Sequence, residues 1–94
     1  MILWIDTADM KKVKVSLKNN NKVVKSLSTE NEYGSQVLLN LINKIGIKDI
    51  TEIEVATGPG SFTGLRVGVS VANALGFSLG IPVNGKKIES DLIY

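Results

Sequence analysis

The chain has no cysteine and no histidine. The first absence excludes a disulfide framework and a thiol nucleophile, and the two together exclude a zinc site of the Cys/His type. A Ser-His-Asp triad and an imidazole general base are excluded as well, so any catalysis would rest on Asp, Glu, Lys, Ser, Thr or Tyr. Arginine, the usual reader of bases and phosphates, occurs once, at Arg66. Eleven basic residues face nine acidic ones, a net charge of +2. The signs are interspersed, which fits a solvated surface better than a nucleic-acid patch. No apolar run reads as long enough to span a membrane, and Met1 to Asp6 is too short for a signal peptide, so the expected location is the cytoplasm. The 94 residues make one small domain with a narrow stability margin.

The patterns that are present alternate between two periods. Ile2 to Ile5 reads as a fully buried strand ending at Asp6 and Thr7. Lys12 to Leu17 alternates as a strand with one wet face. Asn19 to Asn21 forms a turn, and Lys22 to Leu27 returns as the other arm of a hairpin. From Ser35 to Ile45 the apolar residues Val37, Leu38, Leu41, Ile42 and Ile45 make a helical stripe, closed by Gly46. Ile53 to Ala56 is a short buried strand, Leu65 to about Leu79 a second helix, and Ile81 to Val83 a last short strand. The tail from Gly85 to Tyr94 adds a helical turn or an irregular end. The order β-β-β-α-β-α-β implies an α/β fold: a mixed sheet with helices on at least one face.

Between the fourth strand and the second helix lies Thr57-Gly58-Pro59-Gly60-Ser61-Phe62-Thr63-Gly64-Leu65-Arg66. A strand, a glycine loop and a helix N-terminus make a natural anion cradle. The loop lacks the Lys of a Walker motif, and its glycine spacing is one residue too long for a dinucleotide fingerprint. Ser61 and Thr63 serve equally as phosphate donors or helix caps, and Asp6 and Thr7 as metal or phosphate ligands or as turn or cap residues. No carboxylate pair is placed to act as acid and base. Along the second helix Gly64, Gly68, Ala72, Gly76 and Gly80 recur every four residues. Each interior glycine costs about 0.5–1 kcal/mol relative to alanine, so something packs closely on this ridge. Its own sheet and a partner protein are both open as the neighbour.

The eleven residues Gly58-Pro59-Gly60-Ser61-Phe62-Thr63-Gly64-Leu65-Arg66-Val67-Gly68 resemble the signature of the TsaB (YeaZ-type) family. Ile5-Asp6-Thr7-Ala8, the hairpin, Ser35 to Ile45 and Gly80-Ile81-Pro82-Val83 resemble the family's surrounding elements, so the likeness covers about residues 1–85. It implies an actin-like (ASKHA, ribonuclease H-like) half-domain. It further implies a non-catalytic subunit in the formation of N6-threonylcarbamoyladenosine on tRNA. Such a subunit binds a TsaD-type partner or itself through the two helices, and a TsaE-type ATPase joins the assembly. The missing histidines agree with this, because the catalytic paralogue uses histidines for its metal. The family usually has a second lobe, and a family histidine stands here as Tyr33. The expectation is a minimal form in which residues 1–94 are a single N-terminal-type lobe.

The resemblance and helical spacing together name an interface of Tyr33, Gln36, Val37, Asn40 and Leu41 on the first helix, and Arg66, Val69, Ser70, Ala72, Asn73, Gly76 and Phe77 on the second. Candidates for contacting phosphate are Asp6, Thr7, Gly58, Gly60, Ser61, Thr63 and Gly64; catalytic and metal-binding residues are not expected. The chain is expected to hold no cofactor of its own, with ATP at the partner interface, a homodimer in isolation, tRNA reached indirectly and no membrane. A small residue at Ala72 is expected to matter for association and not for folding. Rival readings are an actin-like nucleotide-binding ATPase and a self-associating structural domain.

Overall fold

The computed structural model describes residues 1–9 and 11–87. The elements are β1 (Ile2–Asp6), β2 (Lys14–Asn19), β3 (Lys22–Ser28), α1 (Ser35–Ile45), β4 (Glu52–Val55) and α2 (Phe62–Leu79). The four strands form one sheet in the order β3-β2-β1-β4. β1 pairs with β2, and β2 with β3, antiparallel, as the expected meander; β4 adds to the other side of β1 in parallel. The β2–β3 turn is tight because Asn20 and Asn21 both take positive φ, 53° and 66°, the geometry whose twist matches a hairpin.

Both helices lie over one face of the sheet. Leu3, Ile5, Val15, Leu17, Ile53 and Val55 point into that layer and meet Leu38, Leu41, Ile42 and Ile45 of α1 and Ala72 of α2. β1 is therefore buried on alternate residues only, which corrects the expectation of a fully buried strand. Ile2 and Trp4 stand on the other face, where the Lys18 ammonium lies 4.9 Å from the Trp4 ring centroid and 3.7 Å from the Glu54 carboxylate. α1 ends at Gly46, whose N–H donates to the Ile42 carbonyl at 3.1 Å. α2 starts three residues before the expected Leu65, because Ser61 caps it by accepting from the Gly64 N–H at 3.2 Å.

The expected last strand is reduced to a pair of bridges. Val83 pairs with Ile53 in parallel and with Lys86 antiparallel around a turn at Asn84-Gly85. Residues 88–94, where the tail was expected to add a turn, lie outside the described residues. α2, at 18 residues and mean hydropathy 1.2, is by length and composition just able to cross a membrane, against the expectation that no such run exists. In this fold one side of α2 lies on the sheet, with Gly68, Ala72, Asn73 and Gly76 buried.

Leu38 is fully buried at the centre of the layer between α1 and the sheet. Leu38→Ala should lower stability by about 2–5 kcal/mol, a large part of what so small a domain has. Chemical denaturation followed by circular dichroism measures this.

Candidate functional site

The glycine loop binds three segments together. The Ser61 N–H donates to the Ala8 carbonyl at 2.8 Å, and the Thr7 hydroxyl donates to the Gly64 carbonyl. A Cβ on Gly64 would strike the Thr7 carbonyl oxygen, and one on Gly68 the Thr7 hydroxyl. These glycines thus let the first two turns of α2 sit directly on Thr7 at the end of β1, with no side chain of the helix intervening. The Gly58–Pro59 peptide is cis.

This geometry decides which way the small ridge of α2 faces. The ridge at Gly64, Gly68 and Ala72 faces its own sheet, and Ala72 is fully buried in the core. Ala72 and Gly76 are therefore corrected from partner-facing to internal residues; so is Asn73, at 6% exposure, and so is Leu41 on α1, which belongs to the core stripe. Of the phosphate candidates, Thr7 is buried and its hydroxyl is engaged with Gly64. Ser61 caps α2, and the Asp6 carboxylate accepts from the Ala8 N–H at 3.0 Å, closing a turn. Gly60 packs on Ala8. Gly58 and Thr63 are exposed. Among the described residues no cluster of His, Cys, Asp or Glu is suited to hold a metal ion.

The outward surface lies on the opposite side of α2. Two adjoining hollows of about 420 and 380 Å3 run between α1 and α2 and share Ser70 and Val71. Phe62 and Arg66 stand at one end, Leu39, Ala74 and Ser78 at the other. Phe62 is 73% exposed, with the Arg66 guanidinium 5.5 Å from its ring centroid. Tyr33 borders a smaller, apolar cavity of about 220 Å3, walled by Val13, Thr63 and Val67. Of the expected interface, Arg66 and Ser70 line the groove, while Phe77 and Tyr33 are exposed beside it. Val37 and Val69 are half-buried against the core. Gln36 and Asn40 are exposed and joined to each other at 3.1 Å, and neither lines the groove.

Phe62, Leu39, Ala74 and Ser78 were missed by sequence reasoning. Phe62, Ala74 and Ser78, with Arg66 and Ser70, follow a line two residues out of step with the glycines, roughly 200° around the helix. Once the glycines are known to face inward, that line must face outward.

A family model described as "TsaD: tRNA N6-adenosine threonylcarbamoyltransferase" matches residues 31–85. The chain belongs to this family. Within it the chain is of the TsaB/YeaZ type, with the actin-like fold. The "tRNA threonylcarbamoyladenosine biosynthesis protein TsaB" of Bacillus subtilis (strain 168) is 51% identical over 37 residues, 39% of this chain and 16% of that protein. The protein of the same description from Buchnera aphidicola subsp. Schizaphis graminum (strain Sg) is 42% identical over 50 residues, 53% of this chain and 23% of that protein. The solved structure of YeaZ from Pseudomonas aeruginosa superposes with a TM-score of 0.71 at 28% identity, over 87% of this chain and 41% of its own. The TsaB/YeaZ-type chain thus spans less than half the length of these relatives.

Ala72→Leu should disrupt the monomer itself, costing about 1–3 kcal/mol through overpacking. The melting temperature of the isolated chain, measured at a dilution where it is monomeric, checks this against the expectation from sequence that only association suffers. Thr7→Val, which keeps the shape and deletes the hydroxyl, should cost about 1–3 kcal/mol by leaving the Gly64 carbonyl without that donor.

Proposed function

We propose that this TsaB/YeaZ-type chain serves the formation of N6-threonylcarbamoyladenosine on tRNA as a non-catalytic docking subunit, holding a TsaD-type partner against the α1–α2 groove. The observation that carries this is the groove itself. Both helices cover the same face of the sheet, and their outer sides leave Leu39, Phe62 and Phe77 exposed on a 94-residue domain. An apolar surface of this kind is characteristic of a protein contact. The small residues Ser70, Ala74 and Ser78 along it would let another helix approach closely.

Around that contact the proposed assembly has further members. A TsaE-type ATPase joins the pair, ATP is held at the partner interface and not by this chain alone, and tRNA is reached through the partner. In isolation the same face supports a homodimer. The setting is the cytoplasm, where tRNA is modified. The rival reading as an independent ATPase loses support from the loop: the Thr7 and Ser61 hydroxyls that would face phosphate are engaged within the fold.

The test mixes the purified chain with the TsaD-type protein of its own organism and reads mass by light scattering after size exclusion. A stable heteromer is expected. Ala74→Arg, a change at an exposed position, should weaken it by at least about a hundredfold, the scale of a central interface residue, with the melting temperature of the chain unchanged. A chain that ignores its partner, or a heteromer indifferent to Ala74→Arg, would overturn the reading.

A further inference from the structure

The groove and the glycine loop leave one motif unexplained, the turn at Val83-Asn84-Gly85-Lys86. It is a two-residue hairpin: Val83 and Lys86 exchange N–H···O bonds of 2.8 and 3.0 Å, and Asn84 and Gly85 take φ of 50° and 82°. Asn-Gly suits this turn because both central residues need positive φ. What is particular is the Asn84 side chain. The Val55 N–H donates to Asn84 Oδ1 at 2.9 Å, and Asn84 Nδ2 donates to the Val55 carbonyl at 3.1 Å. The carboxamide thus imitates a peptide group of a neighbouring strand. The Asn84 N–H donates to the Ile53 carbonyl at 2.8 Å, and the Ile53 N–H to the Pro82 carbonyl at 2.9 Å. Residues 82–84 therefore close the outer edge of β4, and the amide of Asn84 supplies the last rung.

We propose that Asn84 is a deamidation site whose reaction unlatches segment 81–86 from the edge of β4. It is the one asparagine in the sequence followed by glycine, and a glycine leaves the next backbone nitrogen unhindered. In the reaction the Gly85 nitrogen bonds to the Asn84 side-chain carbonyl carbon. Nδ2 leaves as ammonia, taking up the proton that the Gly85 nitrogen releases. Water then opens the resulting succinimide at either carbonyl, giving aspartate or isoaspartate.

Two consequences follow from the geometry. While Asn84 is latched, both polar atoms of its carboxamide are held by Val55, so the side chain must leave these bonds before it can turn toward the Gly85 nitrogen, and the folded chain reacts slowly. After reaction, a carboxylate oxygen replaces the donor and faces the Val55 carbonyl, so the rung is broken and repelled. Opening and reaction promote each other, and the edge of β4 is left with unpaired backbone groups, a template for another strand.

The test uses the whole chain. Protein aged at mildly alkaline pH, native and in denaturant, is mapped by peptide mass spectrometry that separates aspartate from isoaspartate. Reaction at Asn84 is expected to lead all other asparagines and to run at least about tenfold faster in the denatured chain, the latch's two hydrogen bonds being lost. Hydrogen exchange of the deamidated native fraction should show faster exchange at the Val55 amide. Equal rates in the native and denatured chain, or a slower Asn84 than its peers in denaturant, would overturn the proposal. So would unchanged Val55 exchange in the deamidated fraction. Asn84→Asp gives a second route to the exchange measurement, and the aged wild-type chain decides the matter if that variant does not fold.

Discussion

Everything in this fold depends on how closely the start of α2 lies on the end of β1. The helix presents bare backbone there: Gly64 rests on the Thr7 carbonyl and Gly68 on the Thr7 hydroxyl. That approach sets the height of α2 above the sheet, and the height sets the depth of the layer that Leu3, Ile5, Ile53 and Val55 fill from below. It also explains why a helix accepts glycines that cost intrinsic stability. Their local penalty, about 0.5–1 kcal/mol each, is offset by the apolar area that close packing removes from water.

The same constraint orients the rest of the helix. With the small ridge turned inward, the residues half a turn away are turned outward and, with α1, form the walls of the groove. The motif Gly58 to Gly68 thus acts on the outer surface indirectly. Its glycines Gly60, Gly64 and Gly68 face Ala8 and Thr7, yet a change there would tilt the outer face of α2. A glycine loop beside a helix N-terminus invites a nucleotide reading; here the Ser61 hydroxyl accepts from the Gly64 N–H and the Ser61 N–H donates to the Ala8 carbonyl. The β1–β2 connection, the loop and the first turns of α2 form one hydrogen-bonded unit.

Much of this was legible in the sequence. The hairpin was announced by Lys-Val-Lys-Val alternation and the asparagines, α1 by its stripe, and the family by the long motif around Gly64. What was not legible follows from physics that periodicity does not carry. A run such as Ile2-Leu3-Trp4-Ile5 has no polar residue to mark its wet side, so its half-exposure depended on which face the helices chose. A helix apolar all around has no inherent inside, so Ala72, Asn73 and Gly76 could be placed on either surface until Thr7 was located beneath Gly64. The last strand failed to lengthen because Asn84-Gly85 turns the chain back after Val83, and the role of the Asn84 amide is a tertiary contact with Val55 that no local pattern announces.

Trp4 stands on the face of the sheet away from the helices, beneath the Lys18 ammonium, and it is the one tryptophan of the chain. The protein therefore carries an intrinsic optical reporter on the side away from its helices. Its emission follows the polarity around the ring and the presence of the cation beside it, whereas a molecule settling between α1 and α2 lies across the full thickness of the core from it. Occupancy of the two sides of this lobe is thus spectroscopically separable without a label.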